Sequence, residues 1–162
     1  MRDNIKHTAD YGIDIITCKA SDVLLHKTGF CYAKSHLLAA LLRANNIPAG
    51  LCYQRLSITL DEDYASTSGE PYCSHGLNAI YLPEFQQNGG WYRVDPRGNK
   101  LGVNAQFTPP KEQLAFQLND VNEIDHKTIY VSPLVEIVDV LDNNNSLAKV
   151  NKNLPDAEMT TL

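Results

Sequence analysis

The sequence predicts an α+β domain in which one long helix precedes a set of antiparallel strands. Apolar residues follow helical spacing from Cys31 to about Asn45, and stretches with strand character come after them. Two of those stretches are separated by a short segment rich in turn formers, which is typical of a hairpin. Helix and strands that are segregated along the chain in this way favour α+β over an alternating α/β fold.

The length and composition fit one compact domain. A chain of 162 residues with 43% apolar and 20% charged residues can build a single hydrophobic core. We therefore expect one domain over 1–162, with its core at about 12–140 and a short helix and tail at 141–162.

Helical patterns occupy the first third of the chain. Residues 1–9 resemble the end of a helix, and 20–27 predict a short helix with Ser21 as its N-cap. The strongest helix is predicted over 31–45, before Pro48, because proline cannot continue a helix. Its buried side is formed by apolar residues at helical spacing, namely Ala33, Leu37, Leu38, Leu41 and Leu42.

Strands are predicted after this helix. Alternating or β-branched apolar residues mark the ranges 49–60, 75–82, 91–95, 128–131 and 135–140. The segment 83–90 is rich in turn formers, so the strands on either side of it are expected to pair antiparallel. Residues 61–74 predict an acidic loop, for which a solvated loop is favoured over one that gates substrate. Residues 108–111, Thr-Pro-Pro-Lys, predict the start of a short helix.

The charge and hydropathy of the chain argue against nucleic-acid and membrane partners. The net charge is -5 and the pI is about 5.4, whereas binding to phosphate backbones depends on clustered Lys and Arg. No apolar run is long enough to span a bilayer, and the start MRDNIKHTAD lacks the apolar region of a signal peptide. We expect a cytoplasmic protein.

The four cysteines predict neither a disulfide framework nor a metal site. A chain of this length without a secretion signal can build its core unaided, so two disulfides are disfavoured. There is no CxxC pair, and Cys73-Ser74-His75 supplies two ligands where a structural zinc site needs four. No metal and no cofactor is expected.

Cys31 is the cysteine whose position favours chemistry. An isolated cysteine is more often a small buried hydrophobe, but Cys31 begins the strongest predicted helix, directly after Gly29-Phe30. The dipole and free amides of a helix start stabilise a thiolate, which is the nucleophilic form, and can also bind an oxyanion.

A general base and its orienting acid are predicted at one end of the hairpin. His75 begins one strand and Asp95 ends the next. In an antiparallel pair the first residue of one strand lies near the last residue of its partner. Such a pair beside Cys31 is the arrangement that nucleophilic catalysis needs.

Three segments of the chain together resemble a known superfamily. They read KTGFCYAKSHLLAALLRANNIPAG, SHGLNAIYL and GWYRVDPRGN, within about 20–99. This order of Cys, His and Asp motifs is similar to the transglutaminase-like superfamily, and closest to its bacterial cytosolic proteins. The resemblance implies a papain-like core in which Cys31 is the nucleophile, His75 the base and Asp95 the orienting acid. A long helix with Cys31 at its N-terminus would pack on an antiparallel sheet that carries His75 and Asp95.

The same resemblance implies a thiol-dependent acyl-transfer enzyme. Cys31 would attack a peptide, isopeptide or glutamine-type amide to form a thioester, with hydrolysis slightly favoured over transfer to an amine. A protein or peptide substrate is expected, and nothing indicates the oligomeric state. Two alternatives stay open, namely a small-molecule acyltransferase with the same triad and a non-catalytic binding module that retains the fold.

Other residues with chemical potential are weighed as background. His7, His26 and His126 show no partner pattern, and His36 lies too far round the helix to serve Cys31. Cys73 is interpreted as a loop cysteine in preference to a second active-site thiol.

Overall fold

The computed structural model describes residues 1–58, 64–85 and 87–156 and has the expected α+β character. Its elements in chain order are β1 (Lys6–His7), α1 (Ala20–His26), β2 (Thr28–Gly29), α2 (Cys31–Ala44), β3 (Ala49–Ser57), β4 (Tyr72–Tyr81), β5 (Trp91–Val94), β6 (Gln106–Thr108), β7 (Lys111–Gln113), β8 (Ile124–Asp125), α3 (Val135–Asn143) and α4 (Leu147–Asn151). Within the described part of the chain, no helix is both long and apolar enough to cross a bilayer.

The central sheet has the strand order β5-β4-β3-β8, and each neighbouring pair is antiparallel. Helix α2 packs on one face of this sheet, against β3 and β4. The larger apolar core fills the space between them and includes Ala33, Leu37, Leu51, Tyr53, Ile137, Val140 and Val150. A smaller cluster covers the other face, formed by Cys52, Leu77, Ala79 and Leu114. The sheet is therefore buried on both faces around the strands that carry the candidate residues.

Helix α2 confirms the strongest sequence prediction. Phe30 is extended with φ -62° and ψ 166°, so the chain turns into the helix at Cys31. Of the predicted buried stripe, Ala33 and Leu37 are inside, whereas Leu41 is 36% exposed. Past the helix end, Asn46 adopts a left-handed conformation with φ 58°, which asparagine tolerates well.

The predicted hairpin is also confirmed. Strands β4 and β5 pair antiparallel, with Tyr81 opposite Trp91 and Asn78 opposite Val94. Continuing that register by one residue places Asp95 opposite Leu77. Since side chains alternate along a strand, His75 and Leu77 share a face, and His75 is the next side chain beyond Asp95.

Five local predictions are wrong, and two of them lie in the first third of the chain. Residues 1–9 are not the end of a helix, because this segment forms turns and then pairs with β2 through β1. Lys34 holds it in place, since its Nζ donates to the carbonyl oxygens of Arg2 at 2.8 Å and Ile5 at 2.5 Å. Ser21 is not the N-cap of α1; Lys19 occupies that position without a side-chain cap.

The other errors lie in the second half of the chain. The range 135–140 belongs to helix α3, where Ile137, Val140 and Leu141 are buried at helical spacing. The range 128–131 makes a single bridge, between Leu51 and Tyr130, and is not a strand. The two prolines at 109–110 form the loop between β6 and β7 instead of starting a helix. Of the predicted loop 61–74, residues 61–63 lie outside the described residues, as does 157–162 of the predicted tail.

Candidate active site

Cys31 lies at the start of α2, in the wall of a cavity of about 320 Å³. The residue is 7% exposed. The first amide groups of a helix have no acceptor within the helix, and Phe30 supplies no side-chain cap to take them. The thiol therefore faces a cavity beside uncommitted backbone N–H groups, a setting suited to a negative charge.

His75 and Asp95 meet as expected from the hairpin. Nε2 of His75 lies 2.7 Å from Oδ2 of Asp95, with side-chain exposures of 5% and 0%. His75 and Cys31 line the same cavity, and Cys31 is near enough to raise the pKa of His75. Because Asp95 engages Nε2, Nδ1 is the ring nitrogen left for the thiol. The structure thus brings the three sequence-predicted residues together at one site.

Backbone amides hold the carboxylate of Asp95 in place. Its Oδ1 accepts from the N–H of Arg97 at 2.9 Å, and its Oδ2 accepts from the N–H of Ala115 at 3.2 Å. Burial raises the pKa of Asp95, but the adjacent His75 and these hydrogen bonds outweigh it, so its pKa is lowered. Asp95 is therefore an anion oriented from both oxygens.

The contact with Asp95 also favours the protonated, positively charged form of His75. Burial lowers the pKa of His75, yet the carboxylate of Asp95 and the Cys31 thiol raise it more, to about 10. At neutral pH the ring is an imidazolium that donates from both nitrogens. The imidazolium therefore lies between the carboxylate of Asp95 and the side chain of Cys31.

A segment that the sequence interpretation did not include closes over this pair. The ring of Phe116 meets His75 edge to face, with centroids 4.9 Å apart. Phe116 follows Ala115, the residue whose amide binds Asp95. Phe116 lies in the segment after β7, and no local sequence pattern predicts its contact with His75 in β4.

The other cysteines are protonated thiols. Burial, the largest cause in each case, raises the pKa of Cys18, Cys52 and Cys73 to about 12. Cys73 also lies in the cavity wall with Cys31, as in the interpretation that the sequence disfavoured. None of the four is in a disulfide. Its place at the start of α2, in the same cavity wall as His75, sets Cys31 apart from the other three.

Two buried side chains attach the start of α2 to β4. The Tyr32 hydroxyl donates to the carbonyl oxygen of Ser74 at 2.5 Å, directly before His75 in the chain. Further along the strand, Nδ2 of Asn78 donates to the carbonyl oxygen of Ser35 at 3.0 Å. These contacts hold the helix that carries the thiol against the strand that carries the imidazole.

A cluster of His7, Asp10, Arg97 and Lys100 also contributes to the cavity wall. The sequence interpretation did not predict this cluster and treated His7 as background. Nδ1 of His7 lies 3.7 Å from Oδ2 of Asp10. Asp10 is bound by both terminal nitrogens of Arg97, at 2.6 and 2.9 Å, and by Nζ of Lys100 at 2.5 Å. The partners are up to 90 residues apart in sequence, so no short motif reveals them.

His36, which the sequence interpretation treats as background, lies elsewhere, with its Nδ1 2.8 Å from the carbonyl oxygen of Cys18. Across residues 1–58, 64–85 and 87–156, no group of three or more His, Cys, Asp or Glu side chains is arranged to hold a metal ion.

Comparison with known proteins identifies the family of the chain. The family model for the transglutaminase-like superfamily matches residues 1–96, a range that contains Cys31, His75 and Asp95. No curated protein matches the chain, and no solved structure does. Because the match covers more than half of the chain and includes both the helix start and the hairpin, the protein belongs to the transglutaminase-like superfamily.

Proposed function

We propose that the protein is a cysteine-dependent acyl-transfer enzyme with Cys31 as nucleophile, His75 as acid and base, and Asp95 as the orienting group. Members of the superfamily are generally cysteine-dependent acyltransferases and peptidases. One observation carries the proposal for this chain: His75 is hydrogen-bonded to Asp95 and lines the same cavity as Cys31. That is the relation between nucleophile, base and orienting group that acyl transfer requires.

The geometry supports a two-step reaction. The Cys31 thiolate attacks the carbonyl carbon of an amide, and N–H groups at the start of α2 bind the resulting oxyanion. The His75 imidazolium gives its proton to the leaving nitrogen, so the C–N bond breaks and a thioester remains on Cys31. The neutral imidazole then removes a proton from water or an amine, which attacks the thioester and releases the acyl group.

The dimensions of the cavity favour a peptide or a side-chain amide as substrate. A volume of about 320 Å³ accommodates one side chain or a short stretch of peptide. Peptide, isopeptide and glutamine-type amides all present such a group. We take hydrolysis as the first expectation for the thioester, with transfer to an amine as the other fate of the same intermediate.

Alkylation tests whether Cys31 is activated by His75. At pH 6 we expect iodoacetamide to modify Cys31 about fiftyfold faster than an ordinary thiol, because the imidazolium stabilises the thiolate. His75→Ala removes that charge and is expected to abolish the advantage. Peptide mapping by mass spectrometry gives the rate for each cysteine separately.

The chain supplies its own controls for this measurement. Cys18, Cys52 and Cys73, whose pKa values burial raises to about 12, are expected to stay unmodified on the same timescale. His126→Ala is a matched histidine substitution on a partly exposed residue and is expected to leave the rate unchanged. If Cys31 of the wild type reacts no faster than free cysteine, the protein is better described as a binding module that retains the fold.

A further inference from the structure

The cavity that contains Cys31 and His75 has a wall of two different kinds. Polar and charged side chains from 7–10 and 97–100 form one part of it. Apolar side chains form another part, which we call the apolar wall; it consists of Leu56, Ile58, Tyr64, Cys73 and Leu154. The reaction described above does not use the apolar wall.

The register of the central sheet places part of the apolar wall next to His75. Leu56 of β3 lies opposite Cys73 of β4, and Cys73 precedes His75 by two residues. Because side chains alternate along a strand, Cys73 and His75 share a face and lie about 7 Å apart along it. Residues that are directly opposite in an antiparallel pair also share a face, so Leu56 lies there as well. The pair of Leu56 and Cys73 is therefore the neighbour of His75 on the sheet.

The C-terminal part of the chain brings Leu154 to the same place. The N–H of Ser74 in β4 donates to the carbonyl oxygen of Pro155 at 2.6 Å. The carboxylate of Asp156 accepts from Nε and Nη2 of Arg55 in β3, at 2.7 and 2.6 Å. These contacts fix Leu154, the residue directly before them, beside the strands that carry the rest of the apolar wall.

The apolar wall is buried, yet a cavity of about 320 Å³ lies against it. Leu56 and Leu154 are 8% and 7% exposed. Burial raises the pKa of Cys73 to about 12, so its thiol is protonated and behaves as a small apolar group. Binding gains free energy in proportion to the apolar surface removed from water. The group that gains most from this wall is therefore an aliphatic or aromatic side chain.

The two steps of the proposed reaction decide which part of the substrate meets the apolar wall. The acyl group stays on Cys31 through both steps, whereas the leaving group is replaced by water or an amine. That exchange needs access to solvent, which the charged part of the wall has, since the side chain of Lys100 is 47% exposed. The buried apolar wall is therefore suited to the acyl side of the substrate.

Resting on the proposed function, we propose that the apolar wall is a specificity subsite for the side chain of the residue whose carbonyl carbon Cys31 attacks. The substrate class is then a peptide with an aliphatic or aromatic residue directly before the scissile bond. A pocket of this kind distinguishes side chains by the apolar surface that each one buries. A glycine in that position leaves the wall uncovered.

Two esters that differ in one side chain test this subsite. They are N-acetylleucyl p-nitrophenyl ester and N-acetylglycyl p-nitrophenyl ester, and the acylation rate of each is the part that Cys31→Ala abolishes. Each rate is divided by the rate of the same ester with free cysteine, which removes the intrinsic difference in reactivity. The quantity compared is the ratio of the corrected rates, leucyl over glycyl.

We expect the wild-type ratio to be about thirtyfold, from burial of the leucine side chain. Leu154→Ala and Leu56→Ala truncate the subsite from two different segments, and each is expected to lower the ratio about fivefold. Leu141→Ala is the matched control, because Leu141 is 3% exposed in α3 and belongs to the apolar core without lining this cavity. A loss of stability lowers both rates together, so it leaves the ratio unchanged.

The outcomes separate this inference from the proposed function. If neither ester acylates Cys31, the proposed function fails and the subsite fails with it. If both esters react but the wild-type ratio is near one or below, the subsite is overturned and the proposed function stands. A high ratio that is unchanged in both Leu154→Ala and Leu56→Ala also overturns the subsite, because the leucyl side chain then binds elsewhere.

Discussion

Replacing Asp95 with asparagine is expected to lower the rate at which an ester probe, N-acetylglycyl p-nitrophenyl ester, acylates Cys31 by about a thousandfold or more. The carboxylate accepts from His75, from the N–H of Arg97 and from the N–H of Ala115. An asparagine has one acceptor oxygen, so its NH₂ group must face at least one of these donors. When it faces Nε2 of His75, the ring must accept there and carry its hydrogen on Nδ1, which leaves no base for Cys31.

The same substitution is expected to lower the pKa of His75. Without the Asp95 carboxylate, the largest influence that raises this pKa is lost, so it should fall from about 10. The ring C–H signal of His75, followed by NMR, should titrate at a lower pH in Asp95→Asn than in the wild type, where it should not change between pH 5.5 and 8.5. A wild-type signal that titrates near pH 6.5 would contradict a stored imidazolium.

The unfolding free energy should depend on pH in the direction that the pKa shifts of His75 and Asp95 set. The raised pKa of His75 contributes stability that is complete below pH 6.5 and is lost as the pH rises towards about 10. The lowered pKa of Asp95 contributes stability above pH 3.8 that is lost on acidification. The difference in unfolding free energy between wild type and Asp95→Asn should therefore be largest between pH 3.8 and 6.5 and shrink towards pH 10.

A matched control separates the triad from charge removal in general. Asp139→Asn removes one carboxylate from an exposed position of α3 and is expected to leave acylation and the His75 signal unchanged. If Asp95→Asn acylates the ester within tenfold of the wild-type rate, Asp95 does not orient the base.

Local patterns sufficed for the parts of the site that are close in sequence. The apolar spacing after Cys31 fixes α2, and one short connection fixes the hairpin between β4 and β5. His75 and Asp95 follow from that hairpin because strand pairing is geometrically restrictive. This is why three residues could be placed from sequence alone.

The missing parts depend on contacts between distant segments. His7, Asp10 and Phe116 reach the cavity from the first and last thirds of the chain, and nothing in their own neighbourhoods signals that contact. The same cause explains the helix wrongly predicted over 1–9, where pairing with β2 overrides local preference. Local sequence therefore predicted that His75 and Asp95 meet and that Cys31 begins α2, whereas tertiary packing supplies the side chains that surround them.

Gly76 packs directly against Tyr32, the residue that follows Cys31. Gly76→Ala is expected to destabilise the fold by about 3 kcal/mol, more than a hundredfold in the folding equilibrium. A Cβ at Gly76 would lie 3.0 Å from Cα and 3.2 Å from the backbone N of Tyr32. Backbone atoms cannot rotate aside as a side chain can. The start of α2 must therefore move away from β4. Urea unfolding measures the loss, and Gly98→Ala is the control, since its nearest contacts are 3.6 and 3.8 Å.

The same displacement should reach the chemistry even in molecules that stay folded. Tyr32 follows Cys31 directly, so a shift that relieves the contact at Gly76 also moves the thiol relative to His75. Hydrogen bonds weaken steeply with distance and angle, so Cys31 in folded Gly76→Ala should alkylate at nearly the rate of an ordinary thiol at pH 6. If Gly76→Ala is destabilised yet keeps rapid alkylation, the helix relaxes away from Cys31, and the position of Cys31 relative to His75 does not depend on the contact at Gly76. If it keeps both stability and alkylation, the close approach of α2 to β4 is not what positions the nucleophile.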